Sequence, residues 1–277
     1  MNNKVLAIND LSGFGNTSLM ALIPLLYKYG LEVCALPSSL LSSNTCFPGY
    51  QLLATDVFMK DCLKHWQELG MEFGAIYSGF LGNPQQVDTV LEAIETLAIT
   101  ETLVLIDPVM ADNGELYPCY DEHMILAMRR LIAKADIITP NFTEACFLAG
   151  IDPRDDAGEE CFNTICNKLH DLGACELIIT GAPGVKDGCN IIYSASPNTQ
   201  LQSYACQYIP CFFTGTGDIF STLMLVYMLK GIPRPEAITK AADFIYNAIN
   251  HSLAKGRDGR AGVLLQDILQ TGEYGCQ

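Results

Sequence analysis

The sequence predicts an α/β fold: a central, mostly parallel sheet with helices on both faces. Two observations carry the prediction. Apolar runs such as KVLAIN and TLVLIDPV lack polar alternation, which marks strands buried on both faces. Amphipathic stretches of helical period separate those runs, as the crossover connections of a parallel sheet require.

The elements follow in order. KVLAIN is a strand, and TSLMALIPLLYKYG is a helix ended by Gly30. LEVCALP is a second strand. TDVFMKDCLKHWQELG is a helix with Thr55 or Asp56 as cap and Gly70 as stop. FGAIYSG and TLVLIDPV are strands around NPQQVDTVLEAIETLA, a helix opened by Asn83-Pro84. DEHMILAMRRLIAKA followed by DIITPN repeats the unit, and CELIITG closes another. After Gly181 the rhythm changes: GCNIIYSA and QLQSYACQYIP read as antiparallel strands joined by SPNT. A long apolar helix follows FTGTGDIF, then a helix over PRPEAITKAADFIYNAINHSLAKG and a short one around VLLQDIL.

The 277 residues are 49% hydrophobic, enough for a sizeable core, and the absence of any linker predicts a single domain over 1–277. A net charge of −15 argues against nucleic acid, whose phosphates demand Lys and Arg. It would also repel an anionic substrate unless local groups or a metal compensate. The twelve cysteines are scattered without a CxxC pair, and no signal peptide opens the chain, so a cytoplasmic protein with reduced thiols is expected. The four histidines show no metal-ligand spacing, and no apolar run is long enough to span a membrane. Cys211 reads as a strand-end core residue, because free cysteine behaves as a small hydrophobe.

In open α/β sheets ligands bind beyond the carboxyl ends of the strands, so the residues there are the candidates. The first strand runs into NDLSGFGNTS, with Asp10 and Ser12 placed to read a small ligand's polar atoms. It is no dinucleotide fingerprint, and a tight turn with an N-cap is the plainer reading. The strand TLVLIDPVM ends in Asp107-Pro108, and TPNFTEACFLAG places Asn141 and Glu144 three residues apart. That spacing suits a capping box. Alternatively, Asp107 and Glu144 share a magnesium ion, directly or through water, since magnesium commonly takes one or two carboxylates plus substrate phosphates. In GTGD the glycines let backbone N–H groups converge at a helix start, a site for a phosphoryl group. Asp218 is then either a helix cap or the base that takes a hydroxyl proton. An ordinary low carboxylate pKa suffices for that task, because phosphoryl transfer needs the base late.

GTGD before an apolar helix, with DPVM and TPNFTE upstream, resembles the ribokinase-like superfamily over essentially the whole chain. The ordered set is similar to the vitamin B6 kinases, pyridoxal or pyridoxamine kinase. SSNTCFPGYQ and SGFLG resemble that family's loop after the second strand and its SGYLG segment. The resemblance implies phosphorylation of the 5′-hydroxyl of a B6 vitamer by MgATP in a homodimer, with a monovalent cation as a further candidate cofactor. It carries the base onto Asp218 and the anion hole onto Gly215, Thr216 and Gly217. Acidic residues around the metal and phosphates match Asp107 and Glu144. Positions near ATP match Asn141, Thr180, Gly181 and Thr214, and ring-binding positions match Asp10, Ser12, Thr45 and Phe80. Two departures stand out: Asp10 where a serine is common, and Phe80 where a tyrosine is common. NDLSGFG is also partly similar to the TDPSGGAG opening of hydroxymethylpyrimidine kinases, which stay an alternative, as does a non-catalytic sensor of pyridoxal phosphate or nucleotide. Asp10 could face a pyridine nitrogen, a phenolic oxygen or a pyrimidine amine.

Overall fold

The computed structural model of the chain describes residues 2–154, 158–183 and 189–271. Its organising element is a nine-stranded sheet. Parallel strands β1 (Lys4–Ser12), β2 (Glu32–Leu41), β4 (Phe73–Ser78), β5 (Ala98–Ile106), β8 (Ile137–Ile138) and β9 (Glu176–Pro183) form its body. Antiparallel strands lie at both ends: β3 (Leu52–Ala54) beyond β2, and β10 (Cys189–Ser194) with β11 (Gln202–Cys206) beyond β9. The order is β11-β10-β9-β8-β5-β4-β1-β2-β3.

Alternate side chains of β1 explain why its sequence shows no polar alternation. Leu6 and Ile8 enter one core, Val5 and Ala7 the other. The first core is closed by α2 (Asp56–Glu68), α3 (Pro84–Leu97), α4 (Glu122–Ile132), α5 (Phe142–Ala149) and α6 (Glu159–Asp171). The second is closed by α1 (Ser18–Lys28), α7 (Thr216–Leu229), α8 (Arg234–Ala254) and α9 (Leu265–Thr271). Every residue of α7 from Ile219 to Met228 is buried, so this helix is apolar all round and lies inside the second layer. The predicted cap of α2 is not made: Thr55 sits at its N-cap but turns its hydroxyl to the Pro37 carbonyl. Asn83 Oδ1 accepts from Gln86 N–H with Pro84 in the first turn, and Asp121 accepts from His123 N–H.

Strand order fixes where a ligand belongs. The chain leaves β1 toward β2 on one side and leaves β4 toward β5 on the other. The crevice beyond the carboxyl ends of β1 and β4 is therefore the topological switch point.

The structure differs from the sequence reading in several places. β1 extends to Ser12, so Asp10 and Ser12 lie within the strand. Strand β3 and a hairpin of β6 (Ala111–Asp112) and β7 (Glu115–Leu116) were not anticipated. The hairpin turns on Asn113-Gly114, both at positive φ (53° and 83°), the chemistry such a turn demands. The last antiparallel strand ends at Cys206 rather than near Pro210, so Cys211 is a half-buried loop residue against the second core, not a strand end. Among the described residues no helix is long and apolar enough to cross a membrane.

Candidate active site

Helix α7 begins beside the switch point, and the turn before it is held by close packing. Gly215, its N-cap, has φ 78°, and a Cβ there would lie 2.6 Å from the Asn16 carbonyl oxygen. Any side chain would be both strained and obstructed. This turn faces the start of α1, where Ser18 also adopts a left-handed φ of 51°. A non-glycine residue there carries strain that its surroundings must compensate.

The strained Ser18 aims its backbone N–H at Asp218, 2.8 Å from Oδ2. Asn9, within β1 and fully buried, donates from Nδ2 to Asp218 Oδ1 at 2.9 Å. Asp218 thus takes hydrogen bonds from two other elements of the fold, which the cap reading did not foresee. Burial raises its pKa to about 6, against the lowering effect of the Ser18 N–H; the Asp10 charge raises it and the Asn9 amide lowers it. An ordinary low value would have sufficed for the task read from sequence; the structure gives a raised one.

Asp10 is buried, accepts from Ser12 Oγ at 3.0 Å, and is also bonded by the Ser18 side chain. Burial lifts its pKa, and those two hydroxyls oppose the shift. The other ring-binding candidates differ in placement. Phe80 follows β4, donates its N–H to Asn9 Oδ1 at 2.9 Å, and sets its ring 5.7 Å from that of Tyr120. Thr45 is exposed in the β2–β3 connection. Its neighbour Asn44 ties that connection to the Arg260 carbonyl at 2.7 Å.

Asp107 caps the end of β5. Its Oδ2 accepts from Ser221 Oγ of α7 at 3.0 Å and from Tyr77 OH of β4 at 3.3 Å, and Thr139 Oγ1 lies 2.8 Å from the Ser221 hydroxyl. Burial first, then the Asp218 charge, push its pKa up to about 7. Glu144 forms the capping box: Asn141 N–H donates to Oε2 at 2.8 Å while Glu144 N–H donates to Asn141 Oδ1 at 2.9 Å. Its Oε1 accepts from Met110 N–H at 3.1 Å, so the side chain also clamps the segment after β5. Burial, and then the Asp107 charge, raise its pKa well above the ordinary value.

The ATP candidates lie at neighbouring strand ends. Asn141 and Thr180 form a parallel bridge, and Asn141 Nδ2 donates to the Ala111 carbonyl at 2.7 Å. Gly181 follows, exposed with φ 62°. Thr214 Oγ1 donates to the Arg260 carbonyl at 3.1 Å, and Thr216 Oγ1 to that of Phe213 at 3.4 Å. Gly217 is exposed in the first turn of α7.

The structure therefore gathers Asp10, Asp107, Glu144 and Asp218 at the carboxyl edge, where burial raises the pKa of each; the Asp10 charge adds to the shift of Asp218, that of Asp218 to Asp107, and that of Asp107 to Glu144. This donor set fits magnesium. The carboxylates are hard oxygens whose mutual repulsion a cation relieves. Among the described residues no three His, Cys, Asp or Glu side chains form a metal cage of their own, which suits an ion completed by water and phosphate. Asn9, Ser18, Tyr77 and Ser221 were missed from sequence. Only Asn9 carried a signal, as the polar residue ending an otherwise apolar strand.

The raised pKa of Asp107 has a stability consequence. An unfolded aspartate titrates near ~3.9, so between that value and about 7 the folded state holds the extra proton. Stability from this group is present at low pH and is lost as pH rises through that window. Replacing Asp107 with Asn removes the titration. In magnesium-free buffer, the fall in Tm between pH 5 and pH 7.5 is expected to be smaller in Asp107→Asn than in wild type, read by differential scanning fluorimetry.

Comparison with known proteins places this geometry. The phosphomethylpyrimidine kinase family matches residues 49–262. A Bacteroides thetaiotaomicron protein provisionally named a phosphomethylpyrimidine kinase, solved with pyridoxal, superposes with a TM-score of 0.94. The two are 33% identical, over 100% of this chain and 98% of that one. Pyridoxal kinase of Dictyostelium discoideum is 27% identical over 91% of this chain and 87% of its own. Hydroxymethylpyrimidine/phosphomethylpyrimidine kinase of Haemophilus influenzae is 32% identical over 65% of this chain and 66% of its own.

Proposed function

The chain belongs to the phosphomethylpyrimidine kinase family, as a kinase of ribokinase-like fold, and we propose that it phosphorylates the 5′-hydroxyl of a vitamin B6 vitamer with ATP. The observation that carries the reading is Asp218. Its carboxylate is fixed by Asn9 and Ser18 beside the Gly215 turn, at the start of a buried helix. A base aligned with a phosphate-binding turn is what an alcohol kinase requires.

In this reading the vitamer's hydroxymethyl oxygen attacks the γ-phosphorus, a new P–O bond forms, and the bond to ADP breaks. Asp218 Oδ accepts the hydroxyl proton. With a pKa of about 6 the carboxylate is largely ionised at neutral pH, yet basic enough to hold the proton once it arrives. The backbone N–H groups of Gly215, Thr216 and Gly217 face the charge on the transferring group. Asn141, Thr180, Gly181 and Thr214 flank the nucleotide. Asp107 and Glu144 would hold magnesium through water, and the ion when bound would neutralise phosphate oxygens. Asp10, Ser12, Thr45 and Phe80 surround the ring.

Similarity to the pyridoxal-bound structure over the full chain, and to a pyridoxal kinase over most of it, supports a pyridine as substrate. A pyrimidine is the second reading, favoured by the family match and by a buried Asp10 able to accept from an exocyclic amine. The full reading is a single-domain, cytoplasmic homodimer. Exposed apolar residues on edge strand β3 (Leu52, Leu53) and at the start of α2 (Val57, Phe58) support self-association.

Competition of pyridoxal, pyridoxamine, pyridoxine and hydroxymethylpyrimidine for MgATP identifies the ring, and absence of ADP formation with all four overturns the reading. Asp218→Asn is expected to lose phosphorylation by roughly a thousandfold or more while still binding ATP in calorimetry; unchanged turnover removes the base role. Asp107→Asn should need more magnesium for half-maximal rate, and a titration superposing on wild type excludes the metal role. Sedimentation equilibrium should give twice the 30.2 kDa chain mass, with Leu53→Lys shifting it toward monomer; a monomeric wild type ends the dimer reading.

A further inference from the structure

We infer that Asn9 is a positioning residue for Asp218, fixing the orientation of the carboxylate that takes the substrate's proton. The inference rests on the proposed role of Asp218 as base. Asn9 is completely buried within β1, three residues before its end, on the switch-point crevice. Its Oδ1 accepts two backbone N–H groups at 2.9 Å, one from Asp10 and one from Phe80 beyond β4. Two N–H donors converging on one atom identify it as the amide oxygen. The amide nitrogen has no freedom to exchange places with it, so it must face Asp218 Oδ1, 2.9 Å away.

Asp218 consequently receives one rigid donor on each oxygen, Asn9 on Oδ1 and the Ser18 backbone on Oδ2. With both oxygens held, the carboxylate cannot rotate about its terminal bond, and its remaining lone pairs keep a constant direction toward an incoming hydroxyl. Gly79 maintains the arrangement from the other side. A Cβ there would lie 2.5 Å from Asn9 Nδ2 and 2.7 Å from its Cγ, so only glycine leaves the amide in place. The ring-side residue Phe80 and the base are thereby joined through a single amide, across the two strands that flank the crevice.

Two substitutions separate positioning from simple structural support. Asn9→Asp keeps an oxygen for both backbone N–H groups but replaces the donor to Asp218 with a second carboxylate oxygen, so it tests loss of the donor together with like-charge repulsion, whereas Asn9→Leu tests loss of the donor without added charge. Asn9→Leu removes all three bonds at similar volume. Both are expected to lower kcat roughly a hundredfold, the scale of a slightly misplaced reacting group, with KM for the vitamer and for ATP near wild type. Gly79→Ala, which pushes on the amide, should lower kcat in the same sense. The inference is overturned if Asn9→Asp turns over like wild type. It is equally overturned if Asn9→Leu changes only the Tm, or if the loss appears in KM for the vitamer with kcat unchanged. A wild-type chain that phosphorylates none of the four alcohols overturns the functional reading, and the role of Asn9 with it.

Discussion

One hydrogen bond, from Asn9 to Asp218, joins residues 209 positions apart and brings the first strand to the start of a late helix. It forms only if β1 sits beside β4 and α7 lies against α1, so it samples the correctness of the whole second layer. Burial of Val5 and Ala7 on one side of the sheet, together with the apolar surface of α7, supplies the driving force. The site is thus a product of the core, placed where the core's two halves meet.

Four acidic side chains sit within this edge, and their electrostatics run against the stability of the empty protein. Burial alone penalises each charge, and proximity adds to the penalty. Every one of them is partly compensated by hydrogen bonds: hydroxyls at Asp10 and Asp107, backbone N–H groups at Glu144 and Asp218. No Lys or Arg enters those compensating sets. Neutral dipoles hold the acids in place without offsetting the cost of burying their charge, which is why their pKa values stand raised.

Much of this was legible in the sequence. The unalternated run KVLAIN gave a strand buried on both faces, and Asn83-Pro84 gave a helix start with its capping chemistry. Strand ends named Asp10, Asp107, Asn141, Glu144 and Asp218, because polar residues after apolar runs have few structural reasons to be there. The three-residue strand β3 escaped notice because so short an edge element has no periodicity to detect. Ser18 escaped because its contribution is a backbone N–H in a left-handed conformation, which no side-chain pattern encodes. Tyr77 and Ser221 lie within runs that read as core, and only their contact with Asp107 separates them from it. The raised pKa of Asp218 was not legible for a related reason: sequence shows a carboxylate, while its solvation is set by the packing of distant elements.

Glu144 closes the capping box of α5 and clamps the backbone after β5 with its second oxygen. A residue with such structural employment outlives the chemistry around it. In a lineage that had lost kinase activity, selection for folding alone would retain Asn141 and Glu144, and Asn9 for the two backbone N–H groups it accepts, whereas under the proposed role the carboxylate of Asp218 would lose its chemical reason to stay. Under the proposed role of Asp218 as base, the capping-box pair is therefore a poor marker of a living enzyme, and Asp218 the better one. Divergent relatives whose activity is in question can be sorted by that distinction, from their sequences alone.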